Sequence, residues 1–170
     1  MIENNWITLV KPNKVDYKIS DNKKFGTVVI EPLEKGFGTT LGNALRRVLL
    51  SSLQGTAISS IKINGVLHEF STIEGVREDV TDIIMNLKNV TFNSKSNHSQ
   101  KLSLNVKGPK EVLSSDFEEN PDVEIIDKEA IIMNVDSNRE VNLEIFLDVN
   151  KGYISAEKNK DNENKSVGQI

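Results

Sequence analysis

The 170-residue chain contains no cysteine, which excludes disulfides and thiolate metal sites alike. No apolar run at its N-terminus precedes a small-residue cleavage site, so a secretory signal is not read and the expected location is cytoplasmic. An excess of cations is missing too: 21 Lys and Arg stand against 25 Asp and Glu, a net charge of -4 with pI ≈ 5.3. Direct binding of nucleic acid needs clustered cations that displace phosphate counterions, and only a local patch could supply them; membrane binding is not expected either. What is present, 37% hydrophobic and 27% charged residues, suffices for a soluble globular chain with a real core, in one domain or two small ones.

One stretch asks for more than burial in a private core: residues 36–53, GFGTTLGNALRRVLLSSL. At about 100° of turn per residue, Leu41, Ala44, Leu45, Val48, Leu49, Ser52 and Leu53, with Gly42 among them, fall on one arc and form a packing face. The remaining arc sets Arg46, Leu50, Asn43 and Arg47 side by side. A solvated face would account for the two arginines alone. Leu50 between them makes the arc interface composition, because Arg lays its stem over apolar surface and makes forked hydrogen bonds to carboxylates. Thr39 or Thr40 is placed to cap the first turn and Gly55 stands just past the last periodic residue, so a helix of roughly 14 residues, ~21 Å long, is predicted over 40–53. Gly42 in its interior costs about 1 kcal/mol against alanine, which fits a place where another backbone, that of a partner helix, comes close.

Taken in order, residues 1–13 read as irregular, with Trp6 the only tryptophan. Val15, Tyr17 and Ile19 alternate with polar residues, residues 20–24 are polar, and residues 25–31 resume a β-rich run, which together predict a hairpin. After Gly55, residues 57–63, Asn64-Gly65 and residues 66–70 predict a second hairpin around a type I′ turn, since both turn positions tolerate positive φ. Val76, Val80, Ile83, Ile84 and Leu87 carry the spacing of an amphipathic helix over 75–88 lying on the sheet. Leu102, Leu104 and Val106 alternate, as do Val141, Leu143, Ile145, Leu147 and Val149; residues 123–126 and 130–135 are further strand candidates, and the pattern is antiparallel. Residues 108–121 read as a loop with a short helical turn at Glu111-Val112-Leu113. Residues 155–166, around AEKNKDNENK, offer too little apolar surface to offset their ordering entropy and read as a flexible connector, after which residues 167–170 restart a strand.

GFGTTLG opens a helix as phosphate cradles do, but Gly36, Gly38 and Gly42 miss the dinucleotide spacing by one residue and no Gly-Lys-Ser/Thr follows. His68 and Glu69 point to opposite sides of a strand, so they do not converge on a metal or substrate. Glu74, Glu78, Asp79 and Asp82 gather at the start of the second helix, where they complement its dipole. No nucleophile, base and oxyanion donor assemble, so no catalytic residue, metal ligand or cofactor is assigned. A small phosphate-ligand enzyme using the GFGTTLG turn and a free-standing antiparallel binding module using an edge strand of residues 57–149 are the alternatives.

EPLEKGFGTTLGNALRRVLLSSL and, beyond it, INGVLHEFSTIEGVREDVTDIIMNLKNV resemble the N-terminal domain of the bacterial RNA polymerase alpha subunit, most closely in residues 36–38, 40–47, 49–52 and 82–88 and more weakly over 122–149. The resemblance implies an α+β fold in two parts: a dimerisation subdomain whose first half, hairpin plus helix, is residues 1–54, and an inserted, mostly antiparallel β subdomain with one helix over residues 55–165. Residues 166–170 then start the return to the first part, and the chain is expected to be a fragment of a longer subunit. It further implies a non-catalytic scaffold of a nucleotidyltransferase complex, an alpha homodimer that binds beta and beta-prime, without direct nucleic-acid contact by this part. By motif, Phe37, Leu41, Leu45, Val48 and Leu49 would line the dimer interface. Asn43, Arg46, Arg47, Leu50 and Lys88 would face the large subunits, Arg47 meeting beta in one protomer and Leu50 with Lys88 holding beta-prime in the other.

Overall fold

A computed structural model describes residues 7–21, 25–136, 138–161 and 168–170. Trp6 and Val167 lie outside the described residues, as do 22–24 of the first polar stretch and 162–166 of the expected connector. The fold is α+β, its strands antiparallel in every pairing among the described residues, and the chain divides into two compact units, Met1–Ser52 and Leu53–Ile170.

The first unit contains the expected hairpin, β1 (Lys14–Ile19) paired with β2 (Gly26–Glu31). It is followed by α1 (Phe37–Ser51). The helix starts earlier than the threonines suggest, and neither caps it. Gly36 is the N-cap, at φ +90 where a side chain would be strained, and Thr40 lies inside the first turn with its hydroxyl donated back to the Gly36 carbonyl at 3.4 Å. Gly55 does not stop it either: α1 ends at Ser51, the Ser52 N–H bonds the Val48 carbonyl at 2.9 Å, and Gly55 already belongs to the next strand. None of the described residues of this unit is buried.

The second unit is built on a five-stranded sheet in the order β5-β9-β3-β4-β7, formed by β3 (Gln54–Ile63), β4 (Phe92–Ser94), β5 (Gln100–Lys107), β7 (Val123–Ile125) and β9 (Glu140–Lys151). Alternation supplies its core: Leu102, Leu104 and Val106 of β5 and Val141, Leu143, Ile145 and Leu147 of β9 all point inward and are buried, with Ile61 and Ile63 of β3 beside them. β6 (Lys110–Leu113) and β8 (Ile131–Val135) form a two-stranded sheet. The helix α2 (Val80–Lys88) closes the core with Val80, Ile83 and Leu87, and its Asn86 amide donates to the Ile132 carbonyl of β8 at 2.9 Å.

Three local expectations give way to tertiary pairing. The Asn64-Gly65 turn forms, with Gly65 at φ +82 and the Val66 N–H on the Ile63 carbonyl, yet residues 66–70 are not a strand. The edge of β3 toward which the Ile63 carbonyl points is held by the C-terminal residues, since Ile61 exchanges both backbone hydrogen bonds with Ile170, while β9 pairs with the opposite edge and takes the Asn64 N–H on Asn142, so Val66 drops into the core instead. The second helix begins at Val80 rather than at 75, because Val76 bridges Val135 and the Arg77 N–H bonds the Asn134 carbonyl, which commits 75–79 to the edge of β8. Glu111-Val112-Leu113 is strand, not helix: Val112 is fully buried opposite Met133, and the single helical turn falls at Ser114–Asp116. Ala156–Asp161 of the expected connector is a short helix, α3, held locally by the Asn159 N–H on the Ser155 carbonyl; residues with good intrinsic helix propensity need no apolar face for one turn. The short β4, anchored by buried Phe92, was not anticipated. At the C-terminal end, Ile170 exchanges both backbone hydrogen bonds with Ile61 at 2.8 Å, and the Gln169 amide donates to the buried Ser60 hydroxyl at 2.6 Å.

Candidate interaction surface

In α1 the two arcs of the helical wheel survive as two exposed faces. Phe37, Leu41, Leu45, Val48 and Leu49 share one, and each leaves a large apolar area in solvent, from 38% for Leu41 to 59% for Leu49. Asn43, Arg46, Arg47 and Leu50 share the other, where Leu50 is 62% exposed between the arginines. Among the described residues neither Arg46 nor Arg47 is in an ion pair. A Cβ placed on Gly38 or Gly42 would meet no atom within 4 Å, so the helical cost of Gly42 has no counterpart inside this chain.

Local bonds fix how these faces are presented. The Phe37 N–H donates to the Glu34 carbonyl at 3.0 Å, and the Glu34 carboxylate accepts the Val10 N–H at 3.3 Å, tying the N-terminal segment to the turn that opens the helix. At the other end the Ser51 hydroxyl donates to the Arg47 carbonyl at 2.7 Å, a second bond to a carbonyl that the last turn of the helix already uses. Lys88 does not belong to this helix. It is the last residue of α2 in the second unit, exposed, at the mouth of an apolar cleft of ≈ 280 Å³ walled by Ile58, Ile61, Ile84 and Leu87.

A third surface escaped the wheel. The register of the first hairpin sets Val15 opposite Ile30, Tyr17 opposite Val28 and Ile19 opposite Gly26. Directly opposed residues share a face of the sheet, so the hairpin carries an apolar face on which Tyr17 is 74% exposed. The alternation of 15, 17 and 19 was its signal.

The acidic residues near α2 have separate tasks. Asp79 caps the helix by accepting the Asp82 N–H at 2.7 Å, Asp82 lies in the first turn, and Glu74 pairs with Arg139 at 2.9 Å. Glu78 reaches across to β8 and accepts both the Asn134 N–H and its side-chain amide, each at 2.7 Å. Partial burial pushes the Glu78 carboxyl up, but the two Asn134 hydrogen bonds, with the nearby Arg77 charge, together hold it below its ordinary range. His68 shares a hydrogen bond with Ser71 at 3.1 Å in a loop, not a strand. Among the described residues no group of three or more His, Asp or Glu converges as a metal site, and no helix is long and apolar enough to cross a membrane.

Compared with known protein families, residues 61–170 match the RNA polymerase Rpb3/RpoA insert domain. The matched span runs from the end of β3 through α2 and the remaining strands to the C-terminal bridge; the hairpin, α1 and most of β3 precede it.

Proposed function

The chain belongs to the family of the RNA polymerase Rpb3/RpoA insert domain, and from that premise we propose that it is the assembly scaffold of a bacterial DNA-dependent RNA polymerase, an alpha subunit that dimerises and gathers beta and beta-prime. An RNA polymerase subunit is part of a nucleotidyltransferase complex; this one contributes surfaces, and the active site with its magnesium belongs to beta and beta-prime. The observation that carries the reading is the first unit. Among its described residues none is buried, while its helix shows one apolar face and one face of arginines around a leucine. A unit without a core of its own is stabilised when others cover it.

In this reading Phe37, Leu41, Leu45, Val48 and Leu49 meet their counterparts in a second copy, so that each contact occurs twice about a two-fold axis. The open space beside Gly42 admits the partner backbone. Arg47, with Asn43 and Arg46 beside it, offers forked donors to carboxylates or carbonyls of beta, and Leu50 and Lys88 serve beta-prime. Two identical chains hold two different large subunits because each large subunit covers the outward arc of one copy only. The division of the chain at Ser52/Leu53 supports assigning residues 1–54 to dimerisation and 55–165 to the insert. The work is done in the cytoplasm, where transcription complexes assemble.

Stepwise mixing with purified beta and then beta-prime tests the proposal by light scattering behind a sizing column. A dimer that captures one beta and then one beta-prime is expected. A monodisperse monomer that binds neither would refute it, and tight equilibrium binding of a nucleotide by the chain alone would point instead to a ligand enzyme.

A further inference from the structure

A cavity of ≈ 750 Å³ lies within the second unit, and no residue of α2 lines it. It is bordered by Leu102 of β5 and by Val123 and Ile125 of β7, the two outermost strands of the five-stranded sheet, so the sheet is curved far enough for both of its edges to flank one groove. Buried Leu102, Phe117 and Val123 form the floor. The segment that borders the groove, residues 115–128, holds six carboxylates against one lysine.

The rim carboxylates are unengaged. Asp116 is paired with Lys110 at 2.7 Å, but Glu118, Glu119 and Glu124 are exposed and in no ion pair among the described residues. Of the two lysines on the rim, Lys95 donates to the Pro121 carbonyl at 3.2 Å, which leaves Lys128 alone to answer them.

β7 is also an open edge. Its ladder to β4 is bracketed by the Lys95 N–H on the Asp122 carbonyl and the Ile126 N–H on the Thr91 carbonyl. By the alternation of antiparallel pairing, the backbone groups of Val123 and Ile125 therefore point away from β4. The Val123 N–H is taken by Asn120, and the Val123 carbonyl with both groups of Ile125 faces outward. An edge of this kind takes an extended segment by main-chain hydrogen bonds, with selectivity left to side chains on alternate positions.

We propose that this groove docks an extended segment of a partner protein carrying lysines or arginines at alternate positions, which adds to the free edge of β7 and sets its cations among Glu118, Glu119 and Glu124. The apolar residues between those cations cover the Phe117 and Val123 floor. The site is independent of α1 and does not rest on the alpha-subunit reading.

The probe is a fluorescent peptide of alternating lysine and valine, titrated into the full chain, with a glutamate–valine peptide as control. The lysine peptide binds, more weakly as salt rises, and shifts amide resonances of residues 117–125; the glutamate peptide does not bind. The triple variant E118K/E119K/E124K weakens binding roughly tenfold or more, as three surface ion pairs together do, and E118Q/E119Q/E124Q weakens it less while melting like the parent. N-methylation of alternate peptide amides, which removes the strand bonds and keeps the charge, also weakens it. Unchanged binding by the triple lysine variant, or an N-methylated peptide bound as tightly as the parent peptide, would overturn the proposal.

Discussion

Leu45→Ala is the perturbation that separates the two faces of α1 most cleanly. Truncation to alanine removes about three methylene equivalents, worth ~0.8 kcal/mol each when fully buried. Leu45 is 52% exposed in the chain, so about half of that, ~1 kcal/mol, is still to be gained when a second copy covers it. The residue occurs twice in a two-fold dimer, which brings the loss to about 2 kcal/mol, a roughly 30-fold weaker dimer at 1.4 kcal/mol per decade. Sedimentation velocity over a concentration series reads this directly, with circular dichroism confirming that the helix remains. Leu50→Ala, on the opposite arc, leaves the dimer constant unchanged. If Leu50→Ala weakens the dimer as much as Leu45→Ala, or neither does, the assignment of faces is wrong.

Hydrogen exchange separates the two units: amides of β5 and β9, backed by buried Leu104, Leu143 and Ile145, exchange slowest, and those of β1 and β2, in a unit without buried residues among those described, exchange fast in the isolated chain and slow on dimerisation. Ile83→Ala deletes a fully buried side chain of α2 and lowers unfolding stability by about 2–5 kcal/mol, measured by urea titration of the second unit's transition. Glu78→Ala leaves the Asn134 N–H and amide without their acceptor and costs about 1–3 kcal/mol in the same titration. Because the folded Glu78 carboxyl titrates below its ordinary 4.5, its contribution is complete above that pH and is lost as the pH falls through the lower folded value. The parent therefore loses stability on acidification across this window more steeply than the Glu78→Ala variant, and equal slopes would refute the role given to the carboxylate.

Periodicity was legible wherever one face of an element meets the core. The two-residue repeat of Leu102, Leu104 and Val106 and of the residues from Val141 to Leu147 is the repeat of their burial, and the 3.6-residue repeat of α1 separates Leu45 from Arg47 as the wheel does. Long-range pairing was not legible. Asn64-Gly65 has the chemistry of a hairpin turn, but whether a hairpin follows depends on what holds the edge of β3, and the C-terminal residues Gln169 and Ile170 hold it. Glu78 looked like a dipole partner for α2 because its neighbour Asp79 is one; its bond to Asn134 appears only when β8 lies alongside. The same limit hid the apolar face of the hairpin, which needs the register of β1 on β2, and the groove beside β7, which needs the curvature of a whole sheet. Arg46, Arg47 and Leu50 were legible as a group because their arrangement is local to one helix.

The central claim, that α1 holds a second copy on one face and a large subunit on the other, is tested most directly by capture of beta on purified dimers carrying Arg47→Ala or Arg46→Ala. Truncating one partner of a desolvated polar contact costs ~2–5 kcal/mol, so Arg47→Ala weakens capture by that amount while the dimer stays intact, and Arg46→Ala, nearer the packing arc, costs less. Equal losses from the two substitutions, or losses that accompany dissociation of the dimer, would contradict the account and return both arginines to a role in the fold.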